Sequence, residues 1–144
     1  MKRYKIINFL FLLLLFASCK NNDRQQNNNA ETDIDAARNF IRATMDGDYR
    51  TARTYMLPDS MNTQFLDVYE RNYNERMKAE DKEGYKEASI NIHQLKNIND
   101  STSVIYYSNS YFKADTHQLK VIKVHNQWLV DLKYYFQAKK DSLP

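Results

Sequence analysis

The sequence has few of the residues on which catalytic and cofactor motifs depend. Cysteine occurs once, at Cys19, and glycine occurs twice, at Gly47 and Gly84. A single cysteine excludes a disulfide within the chain, and two isolated glycines cannot build a glycine-rich phosphate-binding loop. The nucleophile motif G-x-S-x-G and the zinc motif H-E-x-x-H are also absent. We therefore expect no catalytic residues, no cofactor and no metal site, and hence no enzyme.

The chain also lacks an excess of charge once its beginning is set apart. It has 21 basic and 18 acidic residues, but Lys2, Arg3 and Lys5 precede Cys19 and no acidic residue does. The chain from Cys19 onward is therefore formally neutral. A nucleic-acid-binding surface needs a basic patch, and a polybasic membrane-docking segment needs clustered Lys and Arg. Neither pattern is present, so we expect no nucleic-acid partner.

The beginning of the chain is typical of a secretory signal. A cationic head precedes the apolar run 6–17, and about a dozen apolar residues are too few to span a bilayer, which takes roughly 20. The sequence LFASC at 15–19 resembles a bacterial lipobox, with Phe16 at a position where Leu is usual. The resemblance implies that residues 1–18 are removed as a signal peptide. It also implies that Cys19 is acylated and anchors the protein in a membrane.

The segment after the signal peptide is predicted to be a tether for one folded domain. Residues 19–32 are polar and rich in Asn, and without large apolar side chains they cannot form a core. Lys20 rather than Asp follows Cys19, which in Gram-negative lipoproteins favours the outer membrane of the cell envelope. The domain is predicted over 33–138, with a tail at 139–144. Such a length suffices for a single hydrophobic core.

Three helices are predicted at the start of the domain. Apolar residues at helical spacing predict a first helix from an N-cap at Asp33 to a stop at Gly47. A short second helix over 49–56 follows. A third is predicted over 61–80, where large apolar side chains recur every four residues. Gly84 is expected to break the polar segment that comes after it.

From about Tyr85 the apolar period changes from 3.6 to 2, which predicts strands. One strand is predicted over 89–95 and the next over 101–111, with turn-forming residues at 97–100 between them. Helices first and an antiparallel sheet afterwards predict an α+β fold. In this fold the N-terminal helices pack on one face of a curved, four-stranded antiparallel meander.

The last two strands are predicted as a hairpin over 119–134. A two-residue turn at His125-Asn126 is expected, because Asn tolerates positive φ. The resulting register pairs Lys120 with Asp131, an attraction between opposite charges. It also places Leu119, Val121, Trp128, Val130 and Leu132 on one apolar face beneath the helices. A register slipped by one residue would give neither feature.

Two stretches resemble the nuclear-transport-factor-2-like (NTF2-like) superfamily, a cystatin-like fold. One is A-x-x-x-F-x-x-A-x-x-x-G-D-Y-x-x-A at 36–52, and the other is V-x-x-V-H-N-Q-W-L-V at 121–130. The resemblance covers residues 33 to about 136. It implies a cone, in which a strongly curved sheet wraps around a long helix and leaves a pocket at the open end. Relatives use this pocket for catalysis, for ligands or for dimerisation, so the fold does not choose a function.

Five tyrosines are candidates to line such a pocket: Tyr55, Tyr69, Tyr73, Tyr106 and Tyr111. Core packing is the alternative role for all of them. Tyr106 and Tyr107 point to opposite faces of one strand, so at most one of the two can face the helices. In ketosteroid-isomerase-like relatives a pocket Tyr and an Asp transfer protons. Here the late aspartate, Asp131, is explained by the lysine opposite it.

The histidines and the acidic cluster offer weaker candidates for a site. None of His93, His117 and His125 lies two or four residues from another histidine, the spacings that place two metal ligands on one face of a strand or helix. They are expected at the surface or at the rim of the cone, with a metal-binding or general-base role as the alternative. The sequence Asp-Gly-Asp at 46–48 lacks the ligand spacing of a calcium loop and is explained by helix capping.

The outer face of the sheet is predicted to carry Ile122, Val124 and Leu129, an aliphatic patch of the kind that marks association. We expect a homodimer or a protein partner there.

The main functional hypothesis is a lipid-anchored envelope protein with a non-enzymatic role in binding or assembly. The alternative is a cone that binds a small apolar or aromatic ligand, with isomerase- or cyclase-type chemistry as its enzymatic variant. An open pocket would favour the hypothesis of ligand binding, and a cone filled by its own side chains would favour the hypothesis of association.

Overall fold

The structure is a computed structural model and describes residues 30–134 of the 144-residue chain. Four helices come first: α1 (Asp33–Asp46), α2 (Tyr49–Thr54), α3 (Ser60–Glu75) and α4 (Ala79–Glu87). Four strands follow: β1 (Ile90–Asn99), β2 (Thr102–Asn109), β3 (His117–Val124) and β4 (Gln127–Asp131). None of the helices in this range is long and apolar enough to cross a membrane. The predicted signal peptide, Cys19 and the predicted tail at 139–144 lie outside the described residues.

Helix α1 is bounded by two local signals. Its N-cap is Thr32 rather than the predicted Asp33, because Thr32 Oγ1 accepts a hydrogen bond from the Asp35 N–H at 3.1 Å. Gly47 ends the helix as predicted, with a left-handed φ of 77° that a residue without Cβ adopts freely. Ala30 is buried in the hydrophobic core. The last residues of the predicted tether therefore belong to the domain, which begins earlier than position 33.

Aspartates cap the next two helices. Asp48 Oδ1 accepts a hydrogen bond from the Thr51 N–H at 3.0 Å at the start of α2. At the start of α3, Asp59 Oδ1 accepts hydrogen bonds from the N–H groups of Met61 and Asn62, both at 3.0 Å. Each carboxylate satisfies first-turn N–H groups that have no partner within the helix.

The third predicted helix is in fact two helices. Helix α3 ends at Glu75 and α4 begins at Ala79, so the prediction of one helix over 61–80 is wrong. Gly84 lies inside α4 and does not break it. A Cβ at this position would overlap the ring of Tyr111. Glycine here allows close packing rather than a turn, and the sequence does not reveal this because Tyr111 is distant along the chain.

The four strands form one antiparallel sheet in the order β1-β2-β3-β4. The predicted β3–β4 hairpin is confirmed: Lys120 pairs with Asp131 and the other pairs follow in the same register. Lys120 Nζ lies 3.8 Å from Asp131 Oδ2. The two turn residues, His125 and Asn126, have φ values of 47° and 64°. Positive φ at both positions matches the twist of a two-residue hairpin.

The first hairpin turns later than predicted. Strand β1 continues to Asn99, which pairs with Thr102, so the turn consists of residues 100–101 rather than 97–100. The predicted fold class is nevertheless confirmed by the structure, since helices precede a four-stranded antiparallel meander and pack on it.

The hydrophobic core lies between the helices and one face of the sheet. Helix α1 contacts all four strands. The predicted inner face is confirmed by Leu119, Val121, Val130 and Leu132, each at most 5% exposed. Trp128 packs against this cluster but is only half-buried, so it lies at the border of the core rather than fully beneath the helices.

The opposite face of the sheet differs from its prediction. Leu129 is only 8% exposed, and Val104 on the same face is 2% exposed. Ile122 and Val124 are half-buried. Leu129 therefore contributes little exposed surface to this face, because strand alternation assigns a residue to a face but does not determine how much of its side chain is exposed. Association through Ile122 and Val124 stays a prediction.

One edge of the sheet is closed by the segment between α2 and α3. The Val130 N–H donates to the Tyr55 carbonyl at 2.8 Å, and the Leu57 N–H donates to the Val130 carbonyl at 2.9 Å. Met56 completes this parallel bridge to Val130. Helix α2 ends at Thr54, before the predicted residue 56, because the residues that follow extend alongside β4.

Candidate functional site

A cavity of about 320 Å³ lies between the helices and the sheet and is partly open to solvent. Its wall is formed by aromatic and aliphatic side chains with a few neutral polar ones. The residues that line it are Phe40, Ile41, Thr44, Met45, Tyr49, Tyr69, Asn72, Tyr73, Met77, Tyr85, Tyr107, Asn109, His117, Gln118, Leu119 and Leu132.

The turn between α1 and α2 positions three tyrosines of this wall. Because Gly47 has no Cβ, the ring of Tyr73 can pack directly against its backbone. The rings of Tyr73 and Tyr49 meet edge to face, with centroids 5.8 Å apart. The Tyr49 hydroxyl donates a hydrogen bond to the Tyr69 carbonyl at 3.3 Å. These contacts hold α3 against the α1–α2 corner and leave the cavity beside them.

Arg42 fixes α4 against α1 and thereby positions Tyr85. Its Nη1 donates to the Ala88 carbonyl at 2.8 Å and its Nη2 to the Tyr85 carbonyl at 2.9 Å. The same Nη2 lies 2.9 Å from Asp46 Oδ1. A cation at the carbonyl end of a helix is stabilising. The side chain of Tyr85 completes the wall on this side.

Two of the five predicted pocket tyrosines, Tyr69 and Tyr73, line the cavity. Tyr55 does not, because it is buried in the core and its backbone carbonyl binds the edge of β4. The sequence reasoning missed Tyr49 and Tyr85, which do line it. Tyr49 directly follows a helix-capping residue. That signal predicts where the helix begins, but it does not predict that the tyrosine lines a cavity.

The two remaining predicted tyrosines lie elsewhere. Ile105 faces the core and side chains alternate along β2, so Tyr106 points to the outer face and Tyr107 lines the cavity in its place. Tyr111 packs on Gly84, and its hydroxyl donates to Asp81 Oδ1 at 3.0 Å. The prediction of Tyr106 and Tyr111 as pocket residues is therefore wrong.

The wall of the cavity carries no Asp, Glu, Lys or Arg among the residues that the structure describes. Burial raises the pKa of the Tyr49 phenol, with a smaller contribution from Tyr73 beside it. Burial also raises the pKa of Tyr85, to which Asp115 and Asp81 add. Both phenols consequently remain protonated and offer neutral hydrogen-bonding groups.

One of the three histidines reaches the cavity. The ring of His117 lies against that of Tyr107, with centroids 5.4 Å apart. His93 Nε2 is hydrogen-bonded to Ser108 Oγ at 2.8 Å, and His125 is exposed in the last hairpin turn. Within residues 30–134, no three His, Cys, Asp or Glu side chains are grouped so that they could hold a metal ion.

A second, shallower depression adjoins the cavity, and Asn72, Met77 and Tyr85 belong to both. Its other residues are Arg76, Asp81 and Phe112. The β2–β3 connection brings Phe112 there, since Asn109 Oδ1 accepts hydrogen bonds from the N–H groups of Tyr111 and Phe112 at 3.0 and 2.8 Å. Charged groups thus occur at this rim rather than in the wall of the cavity.

A buried polar network joins the start of α3 to the end of β4. Asn62 is fully buried: its Oδ1 accepts from the Leu132 N–H at 2.7 Å, and its Nδ2 donates to Asp59 Oδ2 at 2.7 Å. Lys133 Nζ donates to the same Asp59 oxygen at 2.7 Å. The Lys133 hydrogen bond is the largest of the contributions that hold the pKa of Asp59 well below its usual range. The sequence does not predict this network, because the partners are far apart along the chain.

No protein-family model and no curated protein matches the chain. Two solved structures are similar to it. One is an NTF-2-like protein of unknown function from Shewanella oneidensis MR-1, with 16% identity, a TM-score of 0.47, and coverage of 67% of this chain and 89% of that one. The other, from Campylobacter jejuni, is provisionally described as an NTF2-like transpeptidase, with 18% identity, a TM-score of 0.47, and coverage of 67% and 94%. The sequence resemblance named the same fold, and likeness at this level says nothing about activity.

Proposed function

We propose that this domain binds a small apolar or aromatic ligand in the cavity. The observation that carries the proposal is the cavity of about 320 Å³, which has a mostly aromatic and aliphatic wall with a few polar groups. Ligand sites are typically clefts of roughly 300–1,000 Å³ with mostly apolar walls. An engineered apolar cavity of about 150 Å³ takes up benzene, so this one offers room for two fused rings.

The open cavity favours ligand binding over association as the role of the domain. The burial of Leu129 weakens the case for the sheet-face interface. The proposed role is binding rather than catalysis, since the sequence contains no nucleophile or cofactor motif. The isomerase-type variant needs a carboxylate beside a pocket tyrosine. Asp131, the aspartate that the sequence offers for this role, instead pairs with Lys120 at 3.8 Å on the other face of the sheet.

The place of action is proposed from the sequence. The LFASC sequence that ends at Cys19 supports cleavage and acylation at this residue, and hence a lipid anchor in the cell envelope, with Lys20 favouring the outer membrane. Cys19→Ser should release the protein from the membrane fraction, and only the wild type should take up a fatty-acid analogue. A Cys19→Ser protein that stays membrane-bound, with no label in the wild type, would contradict the anchor.

The ligand site can be tested with 2-naphthol as a probe, by isothermal titration of the purified protein. Thr44→Phe places a ring in the cavity wall. Thr63→Phe is a matched control on the exposed side of α3, because both hydroxyls donate to a backbone carbonyl of their own helix segment, at 2.8 and 2.9 Å. We expect Thr44→Phe to weaken binding by at least about tenfold, which corresponds to about 1.4 kcal/mol, and Thr63→Phe to leave it unchanged.

Circular dichroism of the two variants establishes that each is folded before binding is compared. If 2-naphthol does not bind the wild type, or binds a folded Thr44→Phe as well as the wild type, the cavity is not the ligand site.

A further inference from the structure

We infer that the cavity selects neutral aromatic ligands that carry one hydrogen-bonding group, and rejects their ionised analogues. This inference rests on the proposed function and adds the chemical class of the ligand. It is drawn from the distribution of charge around the cavity, which differs sharply between the wall and the surrounding rim.

The wall of the cavity offers no partner for a ligand charge. Among the described residues that line it, none is an Asp, Glu, Lys or Arg. An ion that leaves water for such a surface loses its hydration without gaining an ion pair, whereas a neutral ring does not. The raised pKa of Tyr49 has the same origin, since burial in this wall disfavours the phenolate.

The charged groups nearest to the wall are already paired or lie at the rim. Arg42 is held by Asp46 and by the carbonyls of Tyr85 and Ala88. Lys82 donates to the Asn74 carbonyl at 3.2 Å, and its Nζ lies 5.1 Å from the centre of the Tyr73 ring. Asp81 accepts from the Tyr111 hydroxyl. Each of these three side chains therefore has at least one partner within the protein, while the buried Nε of Arg42 has none.

The hydrogen-bonding group of the ligand is assigned to the His117 end of the cavity. An imidazole has two ring nitrogens that can take part in hydrogen bonds, and the His117 ring lies in the wall against the Tyr107 ring. A hydroxyl or amide on an aromatic ligand can both donate and accept there. The aromatic side chains of the remaining wall receive the apolar part of the ligand by edge-to-face and stacked contacts.

The test compares three probes of one shape with the full chain at pH 7: 2-naphthol, 2-naphthoate and 2-naphthylmethylammonium. Isothermal titration should show each ion binding at least about tenfold more weakly than 2-naphthol. Naphthoate or the ammonium binding as tightly as 2-naphthol would overturn the inference and leave the proposed ligand site standing. If none of the three binds, the proposed function fails and the inference fails with it.

A second arm places a charge in the wall. His117→Lys should raise the affinity for 2-naphthoate relative to that for 2-naphthol by at least about tenfold, because the lysine side chain supplies an ion-pair partner for the carboxylate. His125→Lys makes the same substitution in the exposed hairpin turn and should leave the ratio unchanged. If the ratio does not move in His117→Lys, or moves equally in His125→Lys, the neutral wall near His117 does not set the selectivity and the inference is wrong.

Discussion

Replacement of Asn62 tests how much the buried polar network contributes to stability. Asn62 is 0% exposed and connects two parts of the chain, because its Oδ1 accepts from the Leu132 N–H while its Nδ2 donates to Asp59 Oδ2, both at 2.7 Å. A longer contact, 3.4 Å, runs from Nδ2 to Asp131 Oδ1. Asn62→Ala removes all three contacts without adding a new group.

The expected loss follows from the group that is left behind. A buried N–H without an acceptor costs about 1–3 kcal/mol, and the Leu132 N–H becomes such a group in Asn62→Ala. The hydrogen bond to the Asp59 carboxylate is lost as well, although Asp59 keeps Lys133 and the first-turn N–H groups of α3. Alanine's higher helix propensity returns roughly 0.5 kcal/mol. The net destabilisation should be about 2 kcal/mol.

Urea unfolding monitored by Trp128 fluorescence measures this loss. Asn74→Ala is the matched control, since Asn74 lies on the same helix but its side chain is exposed, and it should be neutral or slightly stabilising. A loss below about 0.5 kcal/mol in Asn62→Ala, or one equal to that of the control, would show that the network adds no net stability.

Three further outcomes are expected. Gly47→Ala should cost at least about 1–2 kcal/mol in urea unfolding, because a Cβ disfavours the left-handed conformation and would also overlap Tyr73; an unchanged midpoint would refute this. Trp128→Ala should cost about 2 kcal/mol in urea unfolding followed by circular dichroism, less than the 3–5 typical of fully buried aromatics, since Trp128 is half-buried; a loss under about 0.5 kcal/mol would place it outside the hydrophobic layer. The pKa of Asp59 is lower in the folded state, so its contribution is present above the unfolded pKa of about 4 and is lost as pH falls through the folded pKa. The urea midpoint of the wild type should therefore decrease as the pH is lowered below about 4, and the midpoint of Asp59→Asn should decrease less. An equal decrease in the two proteins would contradict the role of Asp59.

The sequence predicts best the elements whose partners are close along the chain. The β3–β4 register is predicted correctly, because a single register both pairs Lys120 with Asp131 and places the apolar side chains on one face. The end of α1 at Gly47 is predicted correctly, because the end of a helix depends on residues that are adjacent in sequence. The boundaries of the first two helices and the order of the strands follow from the same local signals, to within a few residues, whereas α4 is not predicted as a separate helix.

The candidate site is predicted less well, because it depends on contacts between distant segments. The choice between Tyr106 and Tyr107 requires the register of β2 with β3, and a connection of several residues separates these strands. Gly84 resembles a helix breaker until Tyr111 is placed over it. The cavity itself is defined by side chains from four helices and two strands, and no spacing within one segment encodes it.

The two edges of the sheet have different consequences for assembly. The outer edge of β4 is occupied by the segment 55–57, whereas no residue within 30–134 pairs with the outer edge of β1. An open edge can accept a strand from another molecule. If two copies joined antiparallel through β1, the combined sheet would end in β4 on both sides, where the segment 55–57 already bonds to Val130. Of the two edges that the described residues form, β1 is therefore the one more open to a strand from another molecule.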